Sequence, residues 1–325
     1  MEPDVPPPRR GVSRLAATLA FVLLAALAAA AVRRAPAGTF ARLGRADPLL
    51  LAAGLATYAF AFLFRGLRLN LLLPPAERLP AGRAASLSAA SLFLVQVVPL
   101  RGGELATWAA IRSALGTGWL RSGAVYFAVK LVDTAVLLLA GLAGAAATLV
   151  AGRSPGIGAA AGAAAGAGAL LLLFAPRLAG GAAGRLAARF PEGSRRARFG
   201  REVADALAIA RGNPRRYLGA VAASATCTAL LVLALSAMLA GLGVGLSPAG
   251  VAVALLLSAL TAAAIPSPVG NFGPSETGFT AGLALAGIPL PVGVVAAGIL
   301  HLLSTVAAGL AGLPFLLRRG RTVPT

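Results

Sequence analysis

The sequence predicts an all-α polytopic membrane protein, with about six full spans and two broken re-entrant helical hairpins in an inverted repeat. The composition favours this fold class, because 58% of the residues are hydrophobic, 12% are charged and the mean hydropathy is +0.85. These values exceed what a soluble domain needs for its core. Several apolar stretches also approach the roughly 20 residues that a helix needs to cross a bilayer.

Six apolar stretches are predicted as full spans. They run over Val12 to Val32, Pro48 to Phe64, Trp119 to Val150, Ile157 to Phe174, Tyr217 to Ala240 and Val292 to Leu317. Met1 to Val32 could be taken for a signal peptide, because Arg9, Arg10 and Arg14 precede an apolar run. Its apolar run is longer than the roughly 7 to 15 residues of a signal h-region, so we interpret it as an uncleaved span.

Two other apolar regions are interrupted by proline and glycine. Ala84 to Leu100 and Gly103 to Leu115 meet at PLRGGE, and Ala249 to Ile265 and Ser275 to Ile288 meet at IPSPVGNFGPSE. Proline removes a backbone donor and glycine permits unusual backbone shapes, so each junction ends one helix and begins another. In hydrocarbon, backbone that is not helical survives only where protein or water satisfies it. Each region is therefore predicted as a re-entrant hairpin, with two short tilted spans as the alternative.

The order span, span, hairpin, span occurs twice along the chain. We therefore predict an N-terminal tail, two membrane repeats and a C-terminal tail, over residues 1–11, 12–150, 151–317 and 318–325. Because each repeat crosses the membrane three times, the second begins on the opposite face and the two repeats are inverted. Such an architecture is associated with alternating access around a site near the bilayer midplane.

The net charge of +19 predicts an orientation in the membrane and no binding to nucleic acid. With the N-terminus inside, 22 basic residues fall on the inner side of the spans and five on the outer side. This bias predicts a multi-pass protein of the plasma (inner) membrane with both termini in the cytoplasm. Ten of the 22 lie in the loop 176–216, where Phe199, Val203 and Leu207 recur at helical spacing. That loop is predicted to form a basic amphipathic interfacial helix, with a solvated connector as the alternative.

Charged side chains at membrane depth mark the candidate site, since each costs roughly 2.5 to 3.5 kcal/mol near the centre of a span. Arg101 and Glu104 lie at the first break, and Glu276 follows the second. Lys130 and Asp133 are three residues apart on one face of the third span, so a self-neutralised pair that only fixes packing is the alternative. For Glu104 and Glu276 the alternative role is helix capping.

An arginine beside glycine amides suits a phosphate group. We therefore predict that both breaks bind an anionic headgroup, through Arg101, Gly102, Gly103, Glu104, Gly270, Asn271, Gly273, Ser275 and Glu276. The single histidine, His301, has no cysteine or carboxylate at ligand spacing, so it is predicted to be packed or hydrogen-bonded. No metal and no cofactor is expected. No Walker loop, Rossmann glycine pattern or nucleophile elbow occurs, which favours a protein that is not an enzyme.

At its two breaks the chain resembles the lysylphosphatidylglycerol synthase transmembrane-region family, also described as flippase-like integral membrane proteins. That family's Pro-x-Arg-x-Gly-Glu element is matched by Pro99, Arg101, Gly103 and Glu104. Its second break, rich in proline and glycine and followed by glutamate, is matched by Pro266, Pro268, Gly270, Gly273 and Glu276. Between the breaks the family often has Glu-Arg and then Asp three residues on, where this chain has Val129, Lys130 and Asp133.

The resemblance implies movement of phospholipids or lipid-linked sugars. We therefore predict an integral membrane flippase or transporter for an anionic phospholipid or lipid-linked headgroup, with membrane lipids as its partners. A proton-coupled carrier of a small soluble substrate is one alternative, and it would have a closed polar cavity with no side opening toward lipid. An integral-membrane glycosyl- or lipid-transferase is the other, with Glu104 or Glu276 as a general base.

Overall fold

The computed structural model describes residues 46–99, 102–151, 178–265, 267 and 271–318, together with the isolated positions 162, 166 and 168. Within these residues every regular element is a helix. Several predicted features lie outside the described residues. They are the tail 1–11, the span Val12 to Val32, nearly all of the span Ile157 to Phe174, the site residues Arg101 and Gly270, and the tail from 319 onward.

The described helices are numbered in chain order. They are α1 (Pro48–Leu72), α2 (Ala81–Val97), α3 (Gly102–Leu115), α4 (Trp119–Ala151), α5 (Arg195–Gly212), α6 (Pro214–Gly241), α7 (Pro248–Ala264), α8 (Pro274–Leu285) and α9 (Leu290–Arg318). A 3₁₀ turn covers Pro75–Glu77, and residues 178–187 are helical as well.

Three of these helices begin at a polar cap followed by proline. The side chain of Asp47 accepts from the amide of Leu49 at 2.9 Å before α1, and Asn213 and Ser247 cap α6 and α7 in the same way. A proline at the first helical position leaves no amide unsatisfied, and its φ already suits a helix. These local signals explain why the predicted and observed starts agree within three residues.

Four helices, α1, α4, α6 and α9, are long and apolar enough to cross a membrane. They contain 25 to 33 residues each. Their large outward side chains include Phe60, Leu63 and Leu310, which are exposed as expected for a surface covered by lipid. The structure therefore agrees with the predicted polytopic membrane fold.

One predicted boundary is wrong, because α1 continues past Phe64 as far as Leu72. The extension carries Arg65 and Arg68, which we had counted among the basic residues of an inner loop. Arg68 is only 3% exposed and forms an ion pair with Asp133 of α4. A partly buried partner of opposite charge allows the helix to continue through two arginines. Without these two residues the predicted inner-side count falls from 22 to 20.

Two pairs of shorter helices fold back on themselves. The helices α2 and α7 contain 17 residues each, and α3 and α8 contain 14 and 12. At about 1.5 Å per residue they are about 18 to 26 Å long, short of the roughly 30 Å hydrocarbon core. We call α2–α3 the first hairpin and α7–α8 the second hairpin. Their re-entrant position in the membrane and the inverted relation of the two repeats remain predictions.

Glycines allow close contact within both hairpins. A Cβ on Gly103 would collide with the backbone of Leu94, and one on Gly282 would collide with Ala254. Thr261 also donates from Oγ1 to the carbonyl of Pro274 at 2.7 Å across the second hairpin. Each hairpin therefore behaves as a packed unit whose two arms lie backbone to backbone.

The first hairpin is held by helices from both halves of the chain. The amide of Ala85 in α2 lies close to Gly66 of α1, where a Cβ would be 2.5 Å away. On the other side, the amide of Phe315 in α9 donates to Ser86 Oγ at 3.0 Å, beside Pro314, which interrupts the helical hydrogen bonds. The two halves are thus interlocked around α2.

The basic helix predicted in the loop 176–216 is present as α5. Its apolar residues Val203 and Leu207 are buried against α4, and the ring of Phe199 stacks on that of Trp108 with centroids 6.4 Å apart. The protein therefore covers the face that we expected to lie on lipid headgroups. Arg201, by contrast, is exposed.

Candidate functional site

The ends of the two hairpins meet inside the molecule. Val97, at the end of α2, is 4% exposed and packs with Phe93 and with Phe272, which lies in the break before α8. The two proline- and glycine-rich breaks are thus adjacent in space although they are about 170 residues apart in sequence. Beside this contact lies a cavity of about 350 Å³.

The cavity combines charged groups with a mostly apolar lining. Its charged lining residues are Arg65 from α1, Lys130 and Asp133 from α4, and Glu276 from α8, and His301 from α9 lines it as well. Lys130, Asp133 and His301 lie near the middle of long helices that could span the membrane. A charge at such depth is costly and is retained where it pairs or serves a site.

The two charged residues of α4, Lys130 and Asp133, do not pair with each other. Asp133 forms its ion pairs with Arg68 and, at 3.7 Å, with Arg65, and it accepts from Ser224 Oγ at 2.7 Å. Lys130 lies over the ring of Tyr126 instead, with Nζ 5.7 Å from the centroid. The alternative of a Lys130–Asp133 pair is therefore not observed, because the extended α1 brings the guanidinium groups of Arg65 and Arg68 to the carboxylate.

Lys130 is left with its charge facing the cavity. Its side chain is exposed and lines the cavity, and no carboxylate among the described residues lies within 4.0 Å of Nζ. Glu104 of α3 is close enough to interact electrostatically with both Lys130 and Tyr126. The ammonium group is thus available to an anionic ligand.

On the opposite side, Glu276 has two roles at once. Its Oε2 accepts from the amide of Gly273 at 2.6 Å, which is the capping role that the sequence offered as an alternative. Its Oε1 lies 2.8 Å from Nδ1 of His301. Gly273 has a φ of 96°, which favours glycine and lets the break turn sharply into α8. Oε2 of Glu276 therefore caps α8, whereas Oε1 contacts His301 at the cavity.

His301 is the functional candidate that sequence reasoning missed. It is 8% exposed, and the ring of Phe272 packs edge-on against it with centroids 5.0 Å apart. The His301–Glu276 contact is at ion-pairing distance, but it is not aligned as a hydrogen bond. Nε2 and Oε1 thus have no hydrogen-bond partner among the described residues. The only sign of this role in the sequence is a polar residue in an apolar helix. Its partner Glu276 lies 25 positions away and on another helix.

The residues predicted at the first break occupy a different place from those at the second. Asn271, Ser275 and Glu276 line the cavity, whereas Gly102, Gly103 and Glu104 are not among its lining residues. The amide of Gly102 donates to the carbonyl of Pro99 at 2.8 Å, and Gly103 is buried against α2. In the part of the chain that is described, no group of three His, Cys, Asp or Glu residues could hold a metal ion.

One side of the cavity is formed by exposed leucines. Leu138 of α4 and Leu260 of α7 both line it and are 37% and 45% exposed. A little further along the same two helices, Gly141 is in close contact with Leu256, so α4 and α7 touch there. Leu138 and Leu260 thus give the cavity an exposed apolar edge on the side of α4 and α7.

Comparison with known families gives one match over most of the chain. The family model described as the lysylphosphatidylglycerol synthase TM region matches residues 14–312. Comparison with curated proteins and with solved structures found no match. The matched range contains both hairpins and every residue that lines the cavity. The chain therefore belongs to the lysylphosphatidylglycerol synthase TM region family.

Proposed function

We propose that the protein moves a lipid with an anionic headgroup across the membrane. The headgroup would occupy the cavity between the hairpins, and the acyl chains would remain in the bilayer. The observation that carries this proposal is a cavity with charged residues at the depth of the spans and an exposed apolar edge on one side. The polar headgroup would then lie beside charged side chains, and the apolar tails would lie in the hydrocarbon of the bilayer.

The exposed apolar edge favours a lipid over a small soluble substrate. A soluble polar substrate is best held in a closed polar cavity. An apolar wall cannot replace the hydrogen bonds that such a substrate makes with water. Leu138 and Leu260 instead give this cavity an exposed apolar edge. The acyl chains of a lipid could extend past these leucines and remain in the hydrocarbon of the bilayer.

The charges support an anionic headgroup. Asp133 is engaged by Arg68, Ser224 and, at 3.7 Å, Arg65, so it offsets little of the positive charge of Lys130. An ammonium group that lacks a close carboxylate in an apolar site favours a phosphate oxygen as its partner. We assign Lys130 as the main contact to the headgroup, with Arg65 beside it. No chemical step on the lipid is part of this proposal.

The membrane and the orientation belong to the proposal too. The excess of basic residues on the predicted inner side supports the plasma (inner) membrane, with both termini in the cytoplasm. Anionic lipids of that membrane would be the partners of the protein.

Reconstitution into liposomes tests the proposal directly. A fluorescent phosphatidylglycerol is placed in both leaflets, and a quencher that cannot cross the membrane is added outside. We expect the wild-type protein to bring the inner-leaflet label into reach of the quencher. Lys130→Gln should slow this movement about tenfold or more, because it removes a charge-assisted contact to the headgroup.

Arg201→Gln is the matched control, since it removes one positive charge from an exposed position of α5. It should move lipid at the wild-type rate. Equal rates for Lys130→Gln and wild type would overturn the assignment of the cavity. Flux of a small anion without lipid movement would favour the soluble carrier, and new lipid products in the same vesicles would favour the transferase.

A further inference from the structure

The contact between His301 and Glu276 is a buried pair of titratable groups that anion binding alone does not use. The side chains of His301 and Glu276 are 7% and 13% exposed, and Nδ1 and Oε1 are 2.8 Å apart. A carboxylate buried to this degree is costly unless a positive partner or several donors compensate it. Glu276 has one backbone donor, from Gly273, so the charge state of His301 decides how well it is compensated.

The pair therefore has two states that differ by one proton. With a neutral imidazole the pair carries one negative charge, and with an imidazolium it carries none. The proton would be held at Nε2, which has no hydrogen-bond partner among the described residues, or at Nδ1, which faces the carboxylate. Histidine is the side chain whose charge changes most readily near neutral pH.

We propose that lipid movement is coupled to protons, and that the His301–Glu276 pair carries the proton. The inference rests on the proposed function. A neutral pair leaves Lys130 and Arg65 as the dominant charges of the cavity, so an anionic headgroup enters. A negative pair opposes that headgroup. One proton taken from the water on one side would thus cross with one anionic headgroup and be released on the other side.

The other titratable groups around the cavity do not offer the same two states. Tyr58 and Arg65 face it from α1, Lys130 and Asp133 from α4, and Cys227 from α6. Asp133 is already held by Arg68 and Ser224. From α2 the lining residues are Leu92 and Gln96, which are not titratable. Among the described residues that line the cavity, the His301–Glu276 pair is therefore the best candidate to gain and lose one proton.

The pair is also placed where it can act on the hairpins. His301 contacts the ring of Phe272, and Phe272 packs on Val97 at the end of the first hairpin. A change in the charge of the pair therefore acts directly on the junction between the two hairpins. By linkage, a headgroup that favours the neutral pair must raise proton binding by the same factor that the proton raises headgroup binding.

Liposomes with an imposed pH difference test the coupling. We expect the wild-type protein to accumulate labelled phosphatidylglycerol in one leaflet when the pH differs across the membrane. A pH dye enclosed in the liposomes should report a change of internal pH as lipid moves. His301→Gln should slow lipid movement about tenfold or more, since Glu276 then stays negative beside the headgroup. The double variant His301→Gln with Glu276→Gln should restore movement but make it independent of pH.

Rescue by the double variant separates coupling from a structural role, because a damaged fold would not recover when a second residue is changed. If wild-type protein equilibrates lipid and neither accumulation nor proton movement follows, the coupling is wrong and the proposed function stands. If wild-type protein moves no lipid at all, the proposed function itself is wrong.

A second measurement needs no transport. His301 is the single histidine of the chain, so protein labelled with ¹⁵N-histidine gives one imidazole signal. At fixed pH, added phosphatidylglycerol should increase the doubly protonated fraction of this imidazole, and phosphatidylcholine should not. An imidazole whose protonation is the same with both lipids would overturn the proposed linkage.

Discussion

The first and the second hairpin are built alike, yet their glutamates lie in different surroundings. In both, a short helix ends near proline, a glycine of the returning helix packs against the first arm, and a glutamate follows the break. Glu104 is exposed and interacts electrostatically with Lys130 and Tyr126. Glu276 is 13% exposed, caps α8 and contacts His301 within the cavity.

The difference comes from the helix that each break meets. The second break lies against α9, which brings an imidazole to Glu276. The first break lies near α4, whose Lys130 keeps its charge toward the cavity. The same local sequence pattern thus produces a buried pair in one repeat and an exposed carboxylate in the other. Its chemical role is set by tertiary contacts, and not by the pattern alone.

Matched glutamate variants should give the largest contrast between the hairpins. Glu276→Gln should abolish the response of lipid movement to a pH difference, because the imidazole of His301 then lacks the carboxylate that stabilises its proton. Glu104→Gln should change that response less than about twofold, because an exposed carboxylate is well solvated and weakly coupled. The accumulation of labelled lipid under a pH difference is the measurement for both variants. A loss of response with Glu104→Gln, or an unchanged response with Glu276→Gln, would reverse the roles that we assign to the two breaks.

Glycine variants should affect the two hairpins equally, which makes them a test of their shared construction. Gly103→Ala and Gly282→Ala each place a Cβ against the backbone of the opposite arm, so each should destabilise the protein by about 1 to 3 kcal/mol. Gly298→Ala in α9 is the control, because a Cβ there meets nothing within 4 Å. Thermal unfolding in detergent measures all three. A control as unstable as the hairpin variants would contradict the close packing of the arms.

The sequence predicted most helix boundaries because local chemistry sets them. Asn213 and Pro214 separate α5 from α6, and Asp47 and Ser247 cap the starts of α1 and α7. The two breaks were visible because proline and glycine are rare in an apolar helix and change its backbone directly. Features that depend on the residue itself and its neighbours were thus predictable.

Features that depend on distant partners were not predicted. Arg68 was predicted to lie in a loop because its charge lowers the local hydropathy. The hydropathy value does not depend on its ion-pair partner Asp133, which lies 65 positions away. His301 was predicted to be packed or hydrogen-bonded, but its partner Glu276 was not predicted because that carboxylate belongs to another helix. The apolar face of α5 suggested lipid, but a buried protein surface and a lipid surface select the same side chains.

The most direct test of the headgroup site is photolabelling with an anionic phospholipid that carries a diazirine in its headgroup. After irradiation in liposomes and digestion, mass spectrometry identifies the labelled peptides. We expect labels around Lys130 of α4 and between Asn271 and Glu276, and excess unlabelled phosphatidylglycerol should remove them. Labels confined to the outer surface, for example at Leu63 or Leu310, and insensitive to that competitor would contradict it.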